Sequence, residues 1–403
     1  MKEDSLNICM LVKALPIHGL GGLEKHTLDL SLELSKRGHK VYILTFAHPK
    51  GRTEEILNEN LKIYYLPCNI QESVKNQNRK FTRKLKDLMT KYDIDLIHSQ
   101  STIVHLIDGY EELKIPIVVT YHGFWYNSFK TRLNRRNLRG FLGAFLHLFR
   151  FLLFRKRIYD KLLIEADSII VISNESKVQF EHYKPELKSK INLIYNGIDT
   201  QRFMPTSPTE VLENLGLDKG PKLIYTGRLA EEKGLQNIIE IAPELIKNYA
   251  DLKIILIGTG PYKQNLDSMV KKLKIEEHIL FLGFIPNEKL HEYLSLGDIY
   301  VFPSQALEGL PISLIEAMAS SLPIVASRSG GIQTLIKNNY NGLLFEPGRP
   351  KKLLNKIEYL LDNPKIAQKL GQKAREDAIK HYSKESMVSK TIDVYYNTTK
   401  KGK

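Results

Sequence analysis

Along nearly the whole chain, short apolar runs alternate with segments of helical period, and this rhythm narrows the possible folds more than any other feature. An apolar run too short for a helix, bounded by Gly, Pro or polar residues, reads as a buried strand. A helix between successive strands is what a parallel sheet requires, because each connection has to cross back over the sheet. Strands are expected near 7–12, 41–46, 61–66, 94–98, 116–121, 168–172 and 191–195. A second series is expected near 222–227, 252–257, 278–282, 299–302, 323–326 and 342–345, and everything after Gly348 reads as helix. Between the two series lie Asn196-Gly197-Ile198-Asp199 and a Pro-containing connector at 202–208. A chain of 403 residues also exceeds what one hydrophobic core usually organises. The expectation is an α/β protein of two Rossmann-like domains, 1–200 and 201–380, with a helix in 381–403 packing back on the first domain. Sheets of this kind take ligands at the carboxyl ends of their strands, so two of them face to face would leave a cleft lined by loops from both.

Charge and cysteine content restrict the setting. The net charge is +14, and residues 1–200 carry 31 Lys and Arg against 22 Asp and Glu, so the first half favours an anionic partner. Charge alone leaves nucleic acid, anionic lipid and a phosphorylated substrate open; nucleic acid is not expected, since no base-stacking aromatic motif accompanies the basic residues. Two cysteines, Cys9 and Cys68, make no disulfide framework and suit a reducing compartment. The opening MKEDSLNICMLV has two acidic residues before a short apolar run and does not read as a signal peptide, so a cytoplasmic location is expected.

Four segments carry chemistry. In the first, Glu308 and Glu316 stand with seven residues between them, and Pro311 marks a helix start. Glu308 then lies in the loop and Glu316 inside the helix. The stretch Gly309, Leu310, Pro311 and Ile312 opens that helix, where free amides favour an anion and nearby carboxylates accept from hydroxyls. A solvated helix end with acids placed for its dipole is the plainer alternative. In the second, Tyr225-Thr-Gly-Arg-Leu-Ala-Glu-Glu-Lys-Gly234, a strand ends in glycine before Arg228 and Lys233, a planar fork and a point charge suited to a diphosphate. Two merely exposed cations would look the same. The third is the glycine-rich turn Gly19-Leu-Gly21-Gly22, which follows the first strand and opens a helix, so that Gly21 and Gly22 are candidates for a phosphate cradle or for tight packing. The fourth is His122 at the end of the strand 116–121, a candidate to hydrogen-bond a hydroxyl or to stand as a structural imidazole. Asp93-Ile-Asp95 matches a metal-binding D-x-D by letter but falls at the wrong end of its strand, and no metal or cofactor is expected.

Taken together, these segments resemble the GT-B-fold retaining glycosyltransferases of family 4, the glycosyl transferases group 1. The matching pieces are GLGGLEKHTLDLSLELSKRGHKVYILT, VVTYHG, YNGIDTQRF, YTGRLAEEKGL, LIGTGP, FLGFIP, ALEGLPISLIEAMASSLPIVAS, SGG and NGLLFEPG. The resemblance implies a nucleoside diphosphate sugar as substrate. Gly21 and Gly22 would border its phosphates, Arg228 and Lys233 would bind the diphosphate, Glu316 would hold the ribose, and the backbone near Ile285 the base. Glu308 and His122 would contact the transferred sugar. It further implies transfer with retention of anomeric configuration and no protein nucleophile. The chain departs from the family's frequent Pro-Glu after Ser329-Gly330-Gly331-Ile332, carrying Gln333-Thr334 instead.

Residues 126–165 interrupt the alternation. From Lys130 to Arg157 there are nine Lys or Arg, including Arg132, Arg135, Arg136 and Arg139, and no acid. Within this stretch the apolar run 141–154 includes Phe145 and Phe149 and is broken by His147 and Arg150, too short for the ~20 residues a membrane span needs. Its composition suits a helix lying on an anionic leaflet, with a buried helix of an enlarged domain as the alternative. The expected acceptor is therefore a saccharide or a lipid-linked acceptor at the cytoplasmic membrane face. A nucleotide-sugar epimerase of the same fold and a non-catalytic scaffold subunit are the alternative functions.

Overall fold

A computed structural model describes residues 5–18, 22–69, 71–122, 156–217 and 220–401. Its described residues form two compact units: one of residues up to 122, 156–197 and 384–401, the other of 198–383.

The first unit is built on an eight-stranded sheet. Its strands are β1 (Asn7–Leu11), β2 (Lys40–Thr45), β3 (Glu54–Asn58), β4 (Leu61–Tyr65), β5 (Leu96–Gln100), β6 (Ile117–Tyr121), β7 (Ser168–Val171) and β8 (Ile191–Leu193). They are ordered β3-β4-β2-β1-β5-β6-β7-β8. Every pairing is parallel except β3 with β4. Helices cover both faces, which is why β5 and β6 are buried at every position and read as continuous strands in sequence. Helix α1 (Gly22–Lys36) and the C-terminal helix Lys384–Lys401 share one core: Leu30 and Leu34 of the former meet Met387, Val388, Ile392 and Tyr395 of the latter around β1, β2 and β4. The tie is also polar, since Lys384 pairs with Glu33 at 3.2 Å and Arg37 donates to Ser389 at 2.8 Å.

The second unit carries six parallel strands: β9 (Lys222–Thr226), β10 (Lys253–Ile257), β11 (Ile279–Gly283), β12 (Ile299–Phe302), β13 (Ile324–Ser327) and β14 (Leu343–Phe345). Their order is β11-β10-β9-β12-β13-β14. Sequence order therefore reverses between β9 and β12, and in the first unit between β1 and β5. At such a switch point the loops leaving adjacent strands part to opposite faces and open a crevice at the carboxyl ends. The loop after β9 carries Arg228 and Lys233, and the loop after β12 carries Glu308. In the first unit Gln100 ends β5, and His122 follows the neighbouring β6.

Two strand expectations change. β3 is absent from the sequence expectation: Glu-Glu-Ile-Leu-Asn is largely exposed, an antiparallel edge whose charges obscure the strand pattern and blunt the open edge. β5 spans Leu96–Gln100 rather than 94–98, because Asp93 and Asp95 do other work. Asp95 accepts from the Asn7 amide N–H at 2.8 Å, and the Asp93 carbonyl accepts from Asn7 Nδ2 at 2.8 Å. They fasten the start of β1, at the strands' amino ends.

Candidate functional site

In the second unit, sequence-distant residues meet at the carboxyl ends of β9 and β12. Lys233 Nζ donates to Glu308 Oε1 at 2.8 Å, with side chains 19% and 13% exposed. The same carboxylate oxygen accepts from Ser304 Oγ at 2.5 Å, and Lys233 lies 5.9 Å from the centre of the Phe302 ring. Arg228 is placed differently: it is exposed and pairs with Glu232 at 2.5 Å. Pro311 stands just before the helix Ile312–Ala319, and Leu310 is buried while Gly309, Pro311 and Ile312 are half-buried. Glu316 lies inside that helix, 4% exposed, and accepts from Asn287 Nδ2 at 3.1 Å. Asn287 follows Ile285 by two residues in the segment leaving β11, so the half-buried Ile285 stands close in sequence to the partner of Glu316.

Glycines close the loops against one another. The Gly331 amide donates to the Glu308 carbonyl at 2.8 Å, and a Cβ on Gly331 would run into the Gly309 carbonyl oxygen. Ser329 Oγ donates to the Ala306 carbonyl at 2.6 Å, and Gln305 and Ala306 both donate their amides to the Glu232 carbonyl. Glu232 thus holds Arg228 by its side chain and the β12 loop by its backbone. Gln333 and Thr334 stand where the resemblance implies Pro-Glu, and the glycine contacts that fix Glu308 are present. The result is a rigid shelf bearing the embedded ammonium of Lys233, the exposed guanidinium of Arg228 and the carboxylates of Glu232, Glu308 and Glu316, suited to an anion carrying hydroxyl groups.

In the first unit His122 is half-buried at the end of β6 and bonds through Nε2 to Gln100 Oε1 at 2.7 Å. Its ring meets that of His26, from α1, edge to face at 4.8 Å. Burial, reinforced by His26 and His98, holds the His122 pKa well below the usual imidazole value, so the ring is neutral at pH 7. Burial likewise lowers His26 to about 4 and His98 to about 3. Gly22 is exposed at the start of α1. Gly21 lies outside the described residues, as do Arg132, Arg135, Arg136, Arg139, Phe145 and Phe149.

Sequence reasoning missed Ser304, Asn287, Gln100, His98 and His26. Ser304 precedes Glu308 by four residues and Asn287 opens the short helix Asn287–Leu294, neither pattern being distinctive. Their significance comes only from what they touch.

Two family models match the chain: "Glycosyl transferases group 1" over residues 209–377 and "Glycosyltransferase Family 4" over residues 20–202. Among curated relatives, N-acetyl-alpha-D-glucosaminyl L-malate synthase from Bacillus anthracis is 24% identical over 95% of this chain and 96% of its own. GDP-mannose-dependent alpha-(1-6)-phosphatidylinositol monomannoside mannosyltransferase from Mycolicibacterium smegmatis is 27% identical over 54% of this chain and 59% of its own. Among solved structures, Anabaena HepE in complex with UDP-glucose superposes with a TM-score of 0.76 at 19% identity, covering 97% of this chain and 100% of that one.

Proposed function

We propose, for a chain that belongs to the group 1, family 4 glycosyltransferases of GT-B fold, that it moves a hexose-type sugar from a nucleoside diphosphate sugar to a saccharide or lipid-linked acceptor with retention of configuration. The observation that carries this reading is the Lys233–Glu308 pair at the β9/β12 switch point. It fixes a cation where a diphosphate leaves and a carboxylate where the sugar lies. Arg228 joins Lys233 on the diphosphate; Glu316 accepts from ribose hydroxyls; the backbone at Ile285 meets the base. The stretch from Gly309 through Leu310 and Pro311 to Ile312 lines the donor side, and Gly21 and Gly22 border the phosphates.

In this reading the bond between the anomeric carbon and the phosphate oxygen breaks, and the acceptor oxygen attacks from the same face. The acceptor's proton passes to the departing phosphate, so no protein nucleophile is required. The charge that grows on the leaving diphosphate is what Lys233 stabilises while Arg228 helps to hold the diphosphate, and preorganised charges of the first kind supply the largest share of many rate enhancements. No metal is required in this scheme, and turnover should survive EDTA. A neutral His122 suits contact with a sugar hydroxyl better than with a phosphate.

The basic and apolar segment 126–165 supports an acceptor at an anionic membrane face, in cell-surface polysaccharide or glycolipid synthesis on the cytoplasmic side. Helix α2 (Val74–Lys91) of the first unit adds exposed Lys75, Arg79, Arg83 and Lys86 to the basic surface. No helix among the described residues is long and apolar enough to cross a membrane. A relative named for a phosphatidylinositol mannoside acceptor lends the lipid reading further support. The test is a screen of UDP-, GDP- and ADP-sugars for nucleoside diphosphate release with lipid extract as acceptor, alongside flotation with phosphatidylglycerol vesicles. Isomerised sugar without release would favour an epimerase, and no turnover of any donor would favour a scaffold. Protein that stays in solution at every salt concentration would overturn the membrane assignment.

A further inference from the structure

Behind His122 lies a polar chain that the proposed chemistry does not use. It occupies one face of the first unit's sheet. Met10 of β1 stands opposite His98 of β5 in register, and Gln100 of β5 stands opposite Thr120 of β6. Gln100 is 1% and His98 0% exposed, so neither can touch a substrate. His98 Nδ1 lies 2.6 Å from Tyr395 Oη of the C-terminal helix, and His98 Nε2 lies 2.7 Å from Thr120 Oγ1. Gln100 Nε2 lies 3.3 Å from Met10 Sδ and 3.4 Å from His98 Nε2.

These contacts fix the direction of every bond in the chain. A thioether sulfur can only accept, so the Gln100 amide turns its NH2 toward Met10 and its carbonyl toward His122. The same NH2 faces His98 Nε2, which must then be the bare nitrogen, accepting from Thr120 as well. Burial keeps His98 neutral, and its single proton sits on Nδ1, directed to Tyr395. The carbonyl of Gln100 can only accept from His122 Nε2, which therefore carries the proton of that ring.

We propose that Gln100 is a positioning residue for His122: its carbonyl holds Nε2 as an N–H, so that Nδ1 is the hydrogen-bond acceptor offered to a hydroxyl of the donor sugar. The inference rests on the reading of His122 as a sugar contact. Buried polar groups that are fully paired rigidify their surroundings, and a tautomer set by the partner of the other ring nitrogen is the usual way a protein directs an imidazole. The titratable side chains facing His122 among the described residues are His26 from α1 and His98 from β5, with Tyr395 beyond His98.

Two variants separate positioning from packing. Gln100→Leu removes the acceptor; loss of one such bond should lower turnover about 10-fold at every pH. Gln100→Glu keeps an oxygen in place and adds a charge that favours the imidazolium. Its activity, read as UDP release from UDP-glucose or GDP release from GDP-mannose, should match the parent near pH 8.5 and fall as pH drops, with the acid limb of the profile at least one pH unit higher. Long-range NMR of 15N-histidine protein, with the His122 signal assigned from His122→Ala, should show the Nε2–H tautomer in the parent. An Nδ1–H tautomer there, or an unmoved acid limb in Gln100→Glu, overturns the proposal. A correct tautomer together with normal turnover by His122→Ala would instead overturn the sugar-contact reading and leave the Gln100 bond standing.

Discussion

Replacing Lys233 by methionine tests whether the ion pair with Glu308 serves the fold or the reaction. The two charges sit 2.8 Å apart and are largely removed from water. A pair separated by ~4 Å attracts by about 4 kcal/mol at an effective dielectric of ~20. Most of that attraction offsets the desolvation of the two ions, so the net contribution to stability is small. Lys233→Met deletes the attraction and keeps the desolvated carboxylate, which still accepts from Ser304 Oγ. The expected cost is ~2 kcal/mol, a melting point ~4–8 °C lower for a unit of this size. Lys233→Met with Glu308→Gln removes both charges and should recover most of the loss. Catalysis should not follow stability: losing a cation preorganised for the leaving diphosphate should lower turnover ~10²-fold or more in both proteins. Calorimetry and an assay of nucleoside diphosphate release read the two quantities separately. Near-parental turnover in the double variant would refute the reasoning, because the pair would then be structural.

Four further outcomes are expected. Glu316→Gln replaces a charged acceptor by a neutral amide and should raise the donor KM about 10-fold while changing kcat little, measured by donor titration. Gly331→Ala drives a methyl group into the Gly309 carbonyl and should cost more than ~2 kcal/mol of stability and abolish turnover, checked by thermal melting and the release assay. Acid should destabilise the first unit: the folded values of His26 and His98 lie below an unfolded value of ~6.5, so stability is full above that pH and is lost on the way down. Each ring contributes ~2 kcal/mol between pH 6.5 and pH 5, and melting points unchanged over that interval would contradict the assignment. Arg228→Ala should weaken donor binding chiefly through KM, and the effect should shrink as salt is raised, because the guanidinium is exposed.

The sequence made the parallel sheets legible because strands covered on both faces are continuous apolar runs, as in Ile117–Tyr121. The exposed edge β3 has no such signature. Glu308 and Glu316 were legible because a proline fixes where the helix begins and so fixes which carboxylate lies in the loop. Ser304 and Asn287 were not, since a lone polar residue acquires meaning only from the side chain it meets. The chain behind His122 shows the limit clearly. Alternation along Leu96–Gln100 puts His98 and Gln100 on one face, but the group that closes that face, Tyr395, is 297 residues further on from His98.

The two cations illustrate what geometry adds to a motif that names both alike. Arg228 and Lys233 stand five residues apart, and each has a carboxylate partner. In the Arg228–Glu232 pair the guanidinium is 56% exposed and the carboxylate 21%; pairs with a solvated partner contribute ~1 kcal/mol or less, so exchanging Glu232 for a phosphate costs little. Lys233 has no such freedom, because leaving Glu308 would strand a carboxylate that is only 13% exposed. An incoming diphosphate therefore adds to the Lys233 pair and replaces the Arg228 pair. Lys233 is in place before the ligand arrives, and an interaction already organised stabilises charge in the transition state without reorganisation. Arg228 is recruited by binding, which is why its loss should fall on KM and the loss of Lys233 on turnover.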